Sequence, residues 1–353
     1  MTEIDFGAVT RWMDSAGLPG GPVEDVQPIG GGTQNVMLRF RRGGSNYVLR
    51  RGPRHLRPHS NDALRREIRV LESLSRTEVP CPQIVAACKD EQVLGGAVFY
   101  LMKPVDGFNA TVALPDLHAS DAAVRHAMGY SAVDALAALH AVDHERVGLG
   151  DLGRPEGFLT RQVARWLGEL ESYKRHDGYP GSELPAVAEI ADWLEARVPT
   201  SWTPGIVHGD FHLANLMFAQ DSPAVAAIVD WEMCTIGDPL LDLGWLLATW
   251  PDSENPSPAA AHVLGAAGGL PAPAELIERY TARSTRDLTA IDWYTVLACF
   301  KLGIVLEGTH ARACAGKADK ATGDLLHRAA VGLLQRAEAI IAGARTCWAT
   351  QST

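Results

Sequence analysis

The chain has 353 residues, 46% of them hydrophobic and 21% charged, and a formal net charge of -10. That length is too great for one compact core and suits two lobes. The acid excess argues against nucleic acid or an anionic membrane as a general partner. No apolar run reaches membrane-spanning length, and residues 1–5 carry no signal-peptide core. Six scattered cysteines without a C-x-x-C pair read as reduced thiols of a cytoplasmic protein.

Phe6, Val9, Trp12 and Met13 recur at helical spacing over residues 5–16, and Gly17 closes that helix. A glycine cluster, Gly30-Gly31-Gly32-Thr33, precedes an apolar strand at 35–40. Gly43-Gly44 turns the chain into a second strand at 46–51, which makes a β-hairpin. Residues 61–75 form a helix with Leu64, Ile68, Leu71 and Leu74 on its apolar face and Glu67 inside it. Two further strands are predicted at 84–87 and 97–102. From residue 121 onward helices dominate, at 121–140, 157–173 and 184–197, then at 240–250, 273–283, 291–313 and 322–342. Short strands at 205–207, 216–218 and 224–229 interrupt them. The fold class is therefore α+β, with a β-rich lobe over 1–103 and a mainly helical lobe over 104–353.

The interruption carries the chemistry. His208-Gly209-Asp210-Phe211-His212-Leu213-Ala214-Asn215 is followed by Ile228-Val229-Asp230. Phosphoryl transfer from ATP needs a carboxylate to orient the attacking hydroxyl, and an amide oxygen and a second carboxylate for magnesium. The protein-kinase catalytic loop has the same Asp-to-Asn spacing. Gly209 replaces the arginine of that loop, and Asp230-Trp231-Glu232 replaces D-F-G, which points toward small-molecule kinases. A lone D-x-x-x-x-N is most often a loop accident; here strand-like runs deliver the polar residues at their ends. His208 and His212 would bind a metal together only on a helix, and the flanking strands argue against one.

Glycines at 30–32 would let backbone amides, and Thr33, approach a triphosphate, although a plain hairpin turn explains them as well. Val48 and Arg50 share one face of their strand. A protein kinase uses such a strand to place a small residue over the adenine and a lysine on the phosphates. No lysine precedes Lys89, so Arg50 takes that role, with Arg51 second because a register slip would exchange them. Glu67 is the natural partner of Arg50. The backbone of 100–104 is the candidate for the adenine edge, with Met102 packing nearby.

These elements in this order resemble the aminoglycoside phosphotransferase and choline kinase superfamily. Residues 148–158, Gln162, Val163, Trp166, 300–302 and 307–313 resemble one subgroup, the phosphotransferases related to the N-terminal domain of some acyl-CoA dehydrogenases. The resemblance implies a protein-kinase-like fold and an ATP- and Mg2+-dependent kinase of a hydroxyl group, with hydroxyacyl-CoA thioesters as the implied substrates. It makes Asp210 the catalytic base and Asn215 and Asp230 the metal ligands. It gives His208, Asp238 and Asp242 supporting roles, with Asp242 capping or pairing with the loop around His208; Glu232 is left without a role. Lys301, Arg312 and Trp166 are the candidates for an acyl-CoA acceptor. The alternatives are an aminoglycoside kinase and a silent pseudokinase that binds nucleotide. The only partner expected is a small-molecule hydroxyl acceptor. Monomer and homodimer both stay open.

Overall fold

A computed structural model describes residues 4–30, 35–251 and 263–343. The described residues fall into two compact units, drawn from Met1–Gly107 with Ala226–Cys234 and from Phe108–Val225 with Thr235–Thr353. The first unit thus runs past residue 103, and it takes in a stretch that the sequence reading assigns to the helical lobe. The reason is local bonding. Ile228 N donates to Pro80 O at 2.8 Å, and the Arg66 guanidinium donates twice to Cys234 O.

The first unit contains α1 (Phe6–Ser15), β1 (Glu24–Pro28), β2 (Val36–Arg42), β3 (Ser45–Arg51), α2 (Ser60–Leu74), β4 (Ile84–Cys88) and β5 (Phe99–Met102). Asp5 caps α1 by accepting from Ala8 N, which satisfies one of the helix's free N–H groups. The strands form one antiparallel sheet in the order β1-β2-β3-β5-β4. Alternation sorts β3. Tyr47 and Leu49 join Val9 and Met13 of α1, with Phe40, Phe99 and Leu101, in a single apolar cluster. Val48 and Arg50 therefore emerge on the other face. Strand β1 escapes the sequence reading because all five of its residues are exposed, so no apolar alternation marks it.

The second unit begins with β6 (Phe108–Asn109), α3 (Asp116–Ser120), α4 (Ala122–His140), α5 (Gln162–Ser172) and α6 (Val187–Ala196). β7 (Gly205–Val207), β8 (Leu216–Phe218), β9 (Val225–Ile228, where the chain crosses into the first unit) and β10 (Thr235–Gly237) come next. The helices α7 (Leu240–Thr249), α8 (Val263–Ala267), α9 (Pro273–Thr281), α10 (Ile291–Cys314) and α11 (Lys320–Ile341) complete it. The long α10 packs mainly against α11 and α7. Helix α5 starts five residues later than the predicted 157, because Gly157 has φ +61°, outside the right-handed helical region. Among the described residues, no helix is long and apolar enough to cross a membrane.

Candidate active site

In the first unit the polar cluster is built on β3 and α2. Arg50 Nε donates to Glu67 Oε2 at 3.0 Å, and Arg50 Nη2 donates to Asp230 Oδ1 at 3.2 Å. Arg50 and Glu67 are buried, whereas the Asp230 side chain is 41% exposed. Burial alone would depress the Arg50 pKa; the charge of Glu67, then Tyr100 and Asp230, overcomes it and raises it. Burial raises the Glu67 carboxyl, against the pull of Arg50. Arg51 turns away and donates to the carbonyls of Gly52 and Pro53, so of the two arginines it is Arg50 that pairs with Glu67. Glu67 is not the solvated helix position its neighbours in sequence suggest.

Asp230 has φ 67° and ψ 64°, a left-handed conformation uncommon for a residue with a side chain. The turn it opens is tied down by Trp231 Nε1, which donates to Ile228 O. Val48 faces Met102 across the β3–β5 ladder. Gly30 is exposed with open space about it; Gly31, Gly32 and Thr33 lie outside the described residues. A cavity of about 570 Å³ opens in this unit beside Arg39, Asn46, Tyr47 and Lys103, but none of Val48, Arg50, Glu67 or Asp230 lines it.

In the second unit Asp210 follows β7. Gly209 has φ +90°, a conformation that a side chain at that position would strain. Asp242, at the start of α7, accepts from His208 N at 2.6 Å and from Gly209 N at 2.8 Å. His140 Nε2 lies 3.5 Å from Asp242, and burial lowers the His140 pKa. Asp238 accepts from Tyr294 Oη and Leu240 N, and burial raises its pKa. Both carboxylates are almost wholly buried; Asp242 braces the loop directly, whereas Asp238 ties the start of α7 to Tyr294 of α10.

The Asp210 carboxylate is held at both oxygens. Asn215 Nδ2 donates to Oδ2 at 2.9 Å and also to the Asp210 carbonyl. Trp245 Nε1 donates to Oδ1 at 3.0 Å. His212 Nδ1 accepts from Ala214 N, which puts its ring proton on Nε2, 3.3 Å from Asp210 Oδ1. Burial alone would raise the Asp210 pKa. The hydrogen bond and charge of His212, then the charges of His208 and Lys301, outweigh it and hold the pKa at about 2. The group is therefore a carboxylate at any ordinary pH. A cavity of about 280 Å³ opens beside it, lined by Thr111, His212, Leu213, Trp245, Thr249 and Leu302 among others.

The acceptor candidates do not assemble as the sequence reading expects. Lys301 Nζ donates to Gly209 O at 3.2 Å and sits over Trp245 at 4.2 Å and Trp166 at 5.5 Å. It serves the catalytic loop and is not free to meet phosphates at a surface. Arg312 is exposed and bonds Thr309 one turn back. Trp166 is buried beneath Arg165. The 148–158 segment has a packing role: a Cβ on Gly153 would come within 2.6 Å of the Ile236 backbone, and one on Gly237 within 2.7 Å of the Phe158 ring. Trp245 and His212 are the site residues that sequence reasoning missed. Trp245 sits 35 residues beyond Asp210, and only its one-turn offset from Asp242 could have flagged it. The sequence offers His212 only as a metal ligand beside His208 on a helix; the structure has it in the loop after β7, off any α-helix.

The phosphotransferase enzyme family matches residues 25–277. Acyl-CoA dehydrogenase family member 11 of Gallus gallus is 30% identical over 330 residues, covering 90% of this chain and 41% of the relative. Acyl-CoA dehydrogenase family member 10 of Mus musculus is 29% identical over 309 residues, covering 86% and 28%. The chain thus spans about two fifths, or less, of the length of these relatives. Among solved structures, a Ralstonia eutropha protein provisionally described as an aminoglycoside phosphotransferase superposes with a TM-score of 0.78, at 30% identity, over 95% of this chain and 99% of that one. A thermostable aminoglycoside phosphotransferase APH(4)-Ia, in ternary complex with ADP and hygromycin B, gives a TM-score of 0.58 at 16% identity over 91% and 98%. That likeness concerns the fold, which is the kinase-like α+β fold of a small antiparallel-sheet unit and a mostly helical one. The chain belongs to the phosphotransferase enzyme family.

Proposed function

We propose that the protein is an ATP- and Mg2+-dependent kinase of a metabolite hydroxyl, with a hydroxyacyl-CoA as the leading substrate class. The observation that carries the kinase chemistry is the Asp210 carboxylate, fixed at both oxygens and open to a cavity. Such a group aligns a hydroxyl and receives its proton as the phosphoryl group arrives. A carboxylate with a pKa of about 2 is too weak a base to ionise an alcohol beforehand, so its work is orientation first and proton acceptance late.

The first unit serves the nucleotide in this reading. Arg50, held by Glu67, meets the α- and β-phosphates, and Val48 and Met102 lie near the adenine. Magnesium fits the donor chemistry of two residues. Asp230 offers a half-exposed carboxylate. Asn215 spends its amide nitrogen on Asp210, which leaves its carbonyl oxygen for a hard cation. Magnesium would neutralise phosphate charge. Asp230→Ala should then abolish the magnesium dependence of nucleotide binding, while Asn215→Ala, which removes no charge, should weaken it less. Equal, unchanged Mg·ATP affinities in titrations of both variants would overturn the ligand assignment.

The acceptor reading rests on two supports. Curated relatives of this chain carry acyl-CoA dehydrogenase names. The cavity beside Asp210 has no carboxylate other than Asp210 among its lining residues, whereas a polycationic antibiotic calls for an acidic one. Arg165, exposed beside Trp166, replaces Lys301 as the cation for a CoA phosphate. A second reading, an aminoglycoside kinase, draws on the description of the Ralstonia relative. Acceptor-stimulated ADP release decides between them, with hydroxyacyl-CoAs, amino alcohols, sugars and aminoglycosides as acceptors. Turnover of aminoglycosides and of no CoA ester would sink the first; no turnover with any acceptor would favour a nucleotide-binding pseudokinase.

A further inference from the structure

A second cluster of ligand-type side chains lies on α10 and α11. Glu307, His310 and Cys314 fall at i, i+3 and i+7 of α10, which puts them on one face. Asp324 and His327 stand one turn apart on α11. The ligand atoms of Glu307, His310 and His327 all lie within 4.8 Å of one another. His327 Nδ1 is 2.7 Å from Glu307 Oε2, and the two histidine rings are 4.6 Å apart. Cys314 Sγ is 3.6 Å from His310 Nε2. Sulfur and nitrogen bound tetrahedrally to one zinc ion at their usual lengths lie about 3.6 Å apart.

The surroundings favour a cation. Glu307 is fully buried, and the partners of its two oxygens are Tyr179 Oη at 2.6 Å and His327. A buried carboxylate with no permanent positive charge against it is costly. His310 Nδ1 is buried without a hydrogen bond, and its nearest carboxylate is Asp324 at 3.7 Å. A carboxylate behind a ring nitrogen is the arrangement that orients metal-binding histidines. The phosphotransfer chemistry uses none of these residues.

We infer that Glu307, His310 and His327 form a binding site for a divalent transition metal, zinc by donor type, with Cys314 as an adjoining fourth ligand. Imidazole and thiolate select zinc-like ions over magnesium. The ion clamps the α10–α11 hairpin and supplies the charge that Glu307 lacks.

The test is Co2+ and Zn2+ titration of the chelator-treated full-length protein in excess Mg2+. One equivalent of Co2+ should bind with visible ligand-field bands, and Cys314→Ser should remove the thiolate-to-cobalt charge-transfer band. His310→Gln and His327→Gln keep bulk and polarity, and each should weaken binding by more than about tenfold, the lower end of what losing a ligand's hydrogen-bonding partner costs. Zn2+ should raise the Tm of the wild type and not of these variants. Absence of Co2+ binding by the wild type in excess Mg2+ would overturn the site. Wild-type affinity in both glutamine variants would overturn it too. If either glutamine variant fails to fold, Cys314→Ser decides: an unaltered cobalt spectrum counts against the site. Asp210→Asn and Asp230→Ala should bind Co2+ here as the wild type does, so failure of the kinase reading leaves this result separable.

Discussion

The two units hold their functional carboxylates by opposite means. In the first, Arg50 is matched by Glu67 and Asp230, charge against charge, with the first two buried. In the second, Asp210 is held by an indole N–H, an amide and an imidazole. Lys301 contributes charge at a distance while its proton is spent on Gly209 O. The difference suits the tasks proposed for the two groups. A cation that must meet phosphates needs a fixed position and a charge that survives burial. A carboxylate that must take a proton needs orientation with an open edge, and a direct ion pair would occupy that edge.

The largest effect expected is on turnover. Asp210→Asn keeps the shape and the Asn215 contact but cannot accept a proton, so kcat should fall ~100- to 10,000-fold with nucleotide affinity unchanged. A variant that keeps more than about a tenth of wild-type turnover would put the proton acceptor elsewhere.

Arg50→Ala should break the first unit's arrangement in a different currency. It leaves Glu67 buried and unpaired, a loss of roughly 3–5 kcal/mol, read as a fall in Tm. ATP binding should weaken far more than adenosine binding, which has no phosphates to lose. Arg50→Lys should recover part of both, because the charge survives and the planar fork does not. If ATP and adenosine weaken together, Arg50 supports the fold only.

Much of the first unit was legible from local pattern. Residues 46–51 read as a strand, so the face shared by Val48 and Arg50 follows from the strand period alone, and the absence of lysine before Lys89 narrows the cation to two candidates. The Asp210-to-Asn215 spacing is equally local. What the sequence could not give is the set of partners that arrives from distant elements. Trp245 reaches Asp210 from α7, and Lys301 reaches Gly209 from α10. Their long apolar runs mark both helices but not which of their residues point at a loop. The sequence therefore offers Lys301 as a cation for the acceptor, whereas its amine donates to Gly209 O behind Asp210. Strand β1 was lost for the converse reason, since exposed strands carry no burial signal.

The bracing of the second unit can be tested without touching Asp210. Asp242 accepts two backbone N–H groups, whereas an asparagine there has one acceptor oxygen and must aim an N–H at the second donor. Asp242→Asn should cost about 1–3 kcal/mol and lower kcat, with ATP affinity kept. An unchanged Tm would show that the loop is held by its other contacts.

The smallest effect is on the pH profile, and it comes from Lys301. Burial, the largest influence, lowers its pKa; Asp210 and Asp242 oppose that and Arg165 adds to it. The amine in the fold therefore loses its proton at a lower pH than it would in the unfolded chain. Between those two pKa values the unfolded state binds more protons, so stability should rise with pH across that window. Activity should move the other way. A neutral amine no longer supports the Asp210 carboxylate, and its hold on Gly209 O and on the faces of Trp166 and Trp245 weakens. The kcat/KM profile should then fall on its alkaline side below the ordinary lysine range, while the Tm rises over the same interval. Lys301→Met, which keeps an unbranched chain between the two indoles, should flatten both limbs at a reduced kcat. A wild-type profile that stays flat through that range, or one whose fall persists unchanged in the methionine variant, would assign the limb to another group.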